Sequence, residues 1–204
     1  MKYIIAVTLI LILFTLFSNK EPRMQKLNKN DTILAFGDSL TYGFGASPNE
    51  SYPVQLQKLS GLTVINAGIN GETSSEGLKR LPSHLNDDPS VKLMILCMGG
   101  NDILQKQPMP QLKRNLKEMI SLAKNRGISV LLISVPDISL FGLSPVALYA
   151  EVAKEENIPL VSGLLTDILG NPSLKSDQIH PNANGYKKMA HEIDKALKKQ
   201  GWLQ

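Results

Sequence analysis

Cysteine is nearly absent: Cys97 is the only one in 204 residues. No intrachain disulfide can form, so any life outside the cytoplasm has to be managed without one. Cys97 sits inside Leu93-Met94-Ile95-Leu96-Cys97-Met98 and reads as a small buried hydrophobe. Histidine is also scarce. Only His84, His180 and His191 are present, which leaves few candidates for a base that works near neutral pH. Charge of one sign is not in excess. Setting aside residues 1–23 leaves 19 basic and 17 acidic side chains, a balance that gives no support for a nucleic-acid partner. There is no internal repeat and no low-complexity tract, so repeat arrays and disordered tails are excluded. The longest apolar run, Ile4 to Phe17, is 14 residues broken only by Thr8 and Thr15, which is short for a membrane span.

What remains is an ordinary globular composition, 43% hydrophobic and 20% charged. The run at residues 4–17, with Lys2 in front, suits the apolar region of a secretory signal. The flank Ser18-Asn19-Lys20-Glu21-Pro22 offers no clear small-x-small cleavage site, so an uncleaved membrane anchor is the rival reading. The expected division is a signal or anchor over 1–23, a linker over 24–30 and one domain over 31–204. Either version of the leader implies export to the periplasm or cell envelope, with membrane association through residues 4–17 if it is retained.

Within the domain, apolar runs alternate with helical spacing. Strands are expected at Ile33–Phe36, Thr63–Asn66, Val91–Met98, Ile128–Val135 and Ile158–Val161. Helices are expected to end at Gly61, to run from a Ser74 or Ser75 cap to Leu85, and to cover 109–125, 145–156, 164–169 and 183–199. Five strands separated by helices imply right-handed βαβ units and a parallel sheet covered on both faces, a three-layer αβα sandwich. Its strand-end loops carry Gly37-Asp38-Ser39, Asn70-Gly71 and Gly99-Gly100-Asn101-Asp102 at one edge. In such sheets, ligands bind outside the carboxyl ends of the strands.

A serine in that crevice is a candidate nucleophile once a base takes its proton. Ser39 is therefore read as a nucleophile, although Gly-Asp-Ser is also ordinary turn and helix-cap chemistry. His84 and His191 lie on helices and read as structural. His180 lies in the loop Asp177-Gln178-Ile179-His180-Pro181 and is the candidate base. Asp177, three residues earlier, is placed to hold one ring nitrogen, unless it only caps a turn. An oxyanion needs donors aimed at it. The Ser39 N–H, the Gly71 N–H and the Asn101 amide are the candidates; plain turn and cap roles stand beside them for Gly71 and Asn101.

Gly37-Asp38-Ser39-Leu40, Gly71, Gly99-Gly100-Asn101-Asp102 and Asp177-Gln178-Ile179-His180 stand in the order of the four blocks of the GDSL, or Ser-Gly-Asn-His, hydrolase family, which this sequence resembles from Asp31 to its C-terminal helix. The stretch Asn66 to Ser74 resembles the bacterial branch of thioesterase, lysophospholipase and arylesterase type. The resemblance implies a serine esterase with Ser39 as nucleophile, His180 as base, Asp177 as its orienter, and Ser39, Gly71 and Asn101 as the oxyanion hole. It also implies a flavodoxin-like sheet in the order 2-1-3-4-5 and no metal or cofactor. The expected substrate is a small-molecule acyl ester, thioester or lipid, and the expected state is a monomer.

Three features leave alternatives. The apolar connection holding Ile138, Leu140 and Phe141 is either an acyl-binding wall or a loop tucked on its own core. The lysines of the last helix form a solvated face or touch anionic lipid. The same site chemistry would serve a carbohydrate O-acetyl esterase, and the fold alone would serve a binding protein without turnover. A nucleotide-binding module is disfavoured, because Asp38 puts a carboxylate where a phosphate loop needs glycine and backbone donors.

Overall fold

The computed structural model describes residues 26–139 and 142–204. Five parallel strands form the sheet: β1 (Thr32–Gly37), β2 (Thr63–Gly68), β3 (Val91–Cys97), β4 (Ser129–Ile133) and, at one edge, the last strand (Leu160–Val161). Their spatial order is the second, first, third, fourth and fifth in sequence, as the resemblance implied. All six residues of β1 are buried, as the central position demands, and β3 exposes only Lys92. Pro159 lies just before the edge strand. It cannot donate to a ladder, but its carbonyl accepts from Leu132 N–H at 3.0 Å.

The helices are α1 (Ser39–Tyr42), α2 (Tyr52–Ser60), α3 (Ser74–Asn86), α4 (Gly100–Leu104), α5 (Met109–Lys124), α6 (Ala147–Glu155), α7 (Leu164–Leu169) and α8 (Ala183–Lys199). α2 and α7 pack against α8 on one face of the sheet, while α3, α5 and α6 form the layer on the other. The stripe Leu112, Leu116, Met119, Ile120 and Ala123 of α5 is fully buried, as its helical spacing predicts. Among the described residues, no helix is long and apolar enough to cross a membrane. The proposed leader lies outside the described residues.

The structure corrects four expectations. The cap of α3 is Thr73, not Ser74 or Ser75: Glu76 N–H donates to Thr73 Oγ1, and Thr73 N–H donates back to Glu76 Oε2 at 2.9 Å. Ser74 is then free to turn inward. The connection after β4 is a hairpin of β5 (Pro136–Ser139) and β6 (Gly142–Pro145), with Ile138 opposite Leu143. The two prolines sit at its open end, where a missing N–H costs little. Because Pro145 belongs to this hairpin, α6 starts later than expected, at Ala147. The edge strand is accordingly β7 in chain order. Finally, Gly100–Leu104 is a short helix where a plain loop was expected.

Candidate active site

β1 delivers Asp38 and Ser39 to the carboxyl edge of the sheet. Asp38 caps α1, accepting from Leu40 N–H at 3.0 Å, so the turn-and-cap reading holds for this residue. Ser39 is the first residue of α1 and half-buried. Its Oγ lies 3.0 Å from Nε2 of His180, although the two residues are 141 apart in sequence. On the other side of the ring, Nδ1 lies 2.8 Å from Asp177 Oδ2.

The roles in this chain of groups follow from Asp177. Partial burial pushes its pKa up. Hydrogen bonds from Ile179 N–H, the His180 ring and His180 N–H outweigh that and hold the carboxyl below its ordinary value. An ionised carboxylate only accepts, so Nδ1 must carry the proton. Nε2 is then the acceptor, and Ser39 O–H donates to it. The loop is fixed independently of the ring: His180 N–H donates to Asp177 Oδ1 at 2.8 Å, and Ser176 N–H donates to the His180 carbonyl at 2.9 Å. Phe44 lies against the imidazole with ring centroids 4.5 Å apart.

Gly71 and Asn101 come to the same place. Both border a cavity of about 220 Å³, together with Ser39 and His180. Gly71 has φ +76°, a left-handed conformation that other residues rarely adopt. Asn101 donates one amide N–H to the Glu72 carbonyl at 2.9 Å, which orients the side chain. Its helix α4 is held from beneath by Asp102, a residue to which the sequence reading gave no role. Asp102 is buried and accepts from Ser74 N–H at 2.7 Å and from Ser74 O–H at 2.5 Å. Asn115 donates in turn to Ser74 Oγ and Ser75 Oγ at 2.8 and 2.9 Å. The signal was present in Gly-Gly-Asn-Asp, but the partner lies 28 residues away.

Much of the cavity wall is apolar, with Leu40, Ile103, Leu104, Val135, Leu169 and Ile179 facing it. Phe44 and Leu104 at its edge are about half exposed, as are Tyr42 and Ile69 nearby in the chain. Of the three residues expected to line an acyl wall, Ile138 belongs to β5, whose first residue Pro136 borders the cavity. Leu140 and Phe141 lie outside the described residues. His84 and His191 are not part of the site: His84 contacts Arg80, and His191 is exposed.

Asp38 is nearly fully buried, and burial pushes its pKa up to about 7 against the opposing bonds from Leu40 and Gly100 N–H. The unfolded chain releases this proton near 3.8 while the folded one holds it to about 7. Stability from this group is therefore full below pH 4 and declines as pH rises toward 7, by at most about 4 kcal/mol. In Asp38→Asn that slope is absent. Urea unfolding at pH 4.5 and 8 should show the parent's advantage over the variant shrinking at the higher pH; an advantage equal at both would reject the account.

The comparisons with known proteins bear on the family and the fold. The GDSL-like Lipase/Acylhydrolase family description matches residues 35–188. "Thioesterase 1/protease 1/lysophospholipase L1" of Escherichia coli (strain K12) is 30% identical over 174 residues, covering 82% of this chain and 83% of that protein. "Esterase TesA" of Pseudomonas aeruginosa is 30% identical over 177 residues, covering 82% of this chain and 88% of its own. A crystal structure of TesA superposes with a TM-score of 0.76 at 28% identity, covering 83% of this chain and 99% of that one. Fold and relatives together define a serine hydrolase acting on ester bonds. The chain belongs to the GDSL-like lipase/acylhydrolase family.

Proposed function

We propose that this protein hydrolyses acyl esters through Ser39, His180 and Asp177, with an acyl-enzyme intermediate. The observation that carries the reading is the unbroken series Ser39 Oγ, His180 Nε2, His180 Nδ1 and Asp177 Oδ2, with links of 3.0 and 2.8 Å, opening on a mainly apolar cavity. Ser39 Oγ attacks the ester carbonyl carbon as Nε2 takes its proton. The carbonyl oxygen becomes an oxyanion, facing the N–H groups of Ser39 and Gly71 and the second amide N–H of Asn101. Collapse breaks the acyl–oxygen or acyl–sulfur bond, and the leaving group departs with the proton from Nε2. Water then attacks the acyl carbon, giving its proton to the same nitrogen; the acyl–Oγ bond breaks, Nε2 returns the proton to Ser39 Oγ, and the acid leaves. Asp177 holds the tautomer throughout and stabilises the imidazolium.

The apolar wall favours an acyl chain over an acetylated sugar. Hydrolysis of p-nitrophenyl esters from acetate to palmitate by residues 24–204, with Ser39→Ala in parallel, tests both points. Turnover should rise beyond acetate and fall by roughly 10⁶ in the variant. A Ser39→Ala enzyme within about a hundredfold of the parent would overturn the assignment, and a preference for acetate would favour the sugar-ester reading. Thioesters and lysophospholipids belong in the same panel, since the relatives' names include both activities.

We further propose a leader over 1–23, a linker over 24–30 and a catalytic domain over 31–204. The apolar run at 4–17 supports export, either cleaved or retained as an anchor, and the catalytic unit is proposed to be a monomer. The intact mass of the protein from a membrane fraction distinguishes the two fates of the leader.

A further inference from the structure

Of the groups that would hold an oxyanion, Gly71 has little support from packing. Gly71 is exposed, has no side chain, and nothing lies within 4 Å of where its Cβ would stand. Its short loop is joined to β1 by Ile69 N–H donating to the Gly37 carbonyl at 3.1 Å, and it closes by a long 3.4 Å bond from Glu72 N–H to Ile69. Asn101 takes its orientation from the Glu72 carbonyl. Both donors therefore depend on where Glu72 lies.

Glu72 is 7% exposed, a degree of burial a carboxylate tolerates only when paired. Its partner is Arg80, one helical turn and more into α3. Arg80 Nε donates to Oε1 at 2.6 Å and Nη2 donates to Oε2, a two-pronged arrangement that fixes direction as well as distance. Nη2 also donates to the Ala67 carbonyl at 2.9 Å and to the Gly37 carbonyl at 3.2 Å. The guanidinium carbon lies 4.0 Å from the centre of the Phe36 ring. The remaining prong, Nη1, is 3.1 Å from His84 Nε2. Burial and then the Arg80 charge keep this imidazole below its ordinary pKa, so it faces Arg80 as a neutral acceptor.

One guanidinium thus touches the end of β1 two residues before Ser39, the end of β2, and the residue between Gly71 and the Asn101 amide. We propose that Arg80 and Glu72 are positioning residues: a clamp that sets the Gly71 and Asn101 donors at a fixed distance from Ser39. This inference rests on the triad and oxyanion-hole reading above. The clamp touches no substrate. It acts by keeping the donors in place before charge develops, which is where preorganised hydrogen bonds have their effect.

Arg80→Lys is the discriminating variant, because an ammonium cannot make the two-pronged bond and reach two carbonyls at once. On p-nitrophenyl butyrate it should lower kcat about 100-fold while KM stays within about threefold. Inactivation by a p-nitrophenyl alkylphosphonate, whose adduct places an anionic oxygen in the same hole, should slow in proportion. In an Asn101→Ala background the Arg80→Lys effect should shrink but not disappear, since one of the two donors it positions is gone and Gly71 remains. Glu72→Gln, which keeps the shape and one acceptor, should show the same pattern more mildly and replaces Arg80→Lys if that variant does not fold. A folded variant with parental kcat, a loss confined to KM, or a full effect that persists beside Asn101→Ala would each overturn the clamp. A parent that turns over no ester, or that is unaffected by Ser39→Ala, would bring down the triad reading and the clamp with it.

Discussion

His180→Ala is expected to lower kcat by roughly 10⁶, and Ser39→Ala by about the same amount. The two losses should not add. Attack requires the serine and its base together, so the double variant should be no worse than either single one. Residual turnover of roughly 10³- to 10⁴-fold over the uncatalysed reaction is the expected floor, supplied by the remaining donors and by binding. The fold should be unaffected, because the loop is held by backbone groups: Asp177 Oδ1 accepts from Ile179 and His180 N–H, and Lys175 pairs with Pro181. Removing the ring also leaves a gap beside Phe44, so added imidazole should restore part of the activity in His180→Ala but none in Ser39→Ala. Steady-state rates with and without imidazole check all of this. Additive losses, or a His180→Ala enzyme within about a hundredfold of the parent, would assign the base elsewhere.

Gly68→Ala should be nearly as damaging to activity, although residue 68 faces no substrate. A Cβ there would stand 2.0 Å from Tyr42 N and 2.6 Å from the Thr41 carbonyl carbon. Both are backbone atoms of α1, so no side chain can move aside, and the helix that begins with Ser39 has to shift. A displacement of about 1 Å at a reacting group costs on the order of 100-fold in rate. The accompanying loss of stability should be about 1–3 kcal/mol, as for other overpacked sites. Gly61→Ala is the control. Gly61 ends α2 at the opposite edge of the sheet with φ +69° and open space around its Cβ position, so its cost is backbone strain of roughly 1–2 kcal/mol with turnover unchanged. Equal turnover in the two variants would show that α1 tolerates displacement.

The elements with strong periodicity were legible in the sequence. α7 and α8 fall on the expected residues, and the strands differ by a residue or two at their ends. The sheet order came from the resemblance, not from periodicity. What stayed hidden depends on contacts between distant residues. The hairpin after β4 reads in sequence as an apolar connection, because four-residue strands carry no resolvable period. Thr73 was passed over as a cap in favour of the serines beside it, since single-residue cap preferences do not show which hydroxyl the fold needs elsewhere. Arg80, Glu72 and Asp102 drew no role from the sequence, yet they bond across 43, 8 and 28 residues within the site's foundations. The loops carrying Ser39, Gly71 and Asn101 could be assigned to one edge of the sheet from the βαβ pattern. The distances between them could not.

Leu27 N–H donates to the Trp202 carbonyl at 3.0 Å. α8 starts beside the cavity and runs about 25 Å before Trp202 packs into the core, so this bond lies at the amino edge of the strands, behind the sheet. The described chain therefore enters the domain at the side away from the pocket. For the same reason, a bead or a fusion partner attached upstream of Leu27 or beyond Trp202 would display the enzyme with its entrance clear.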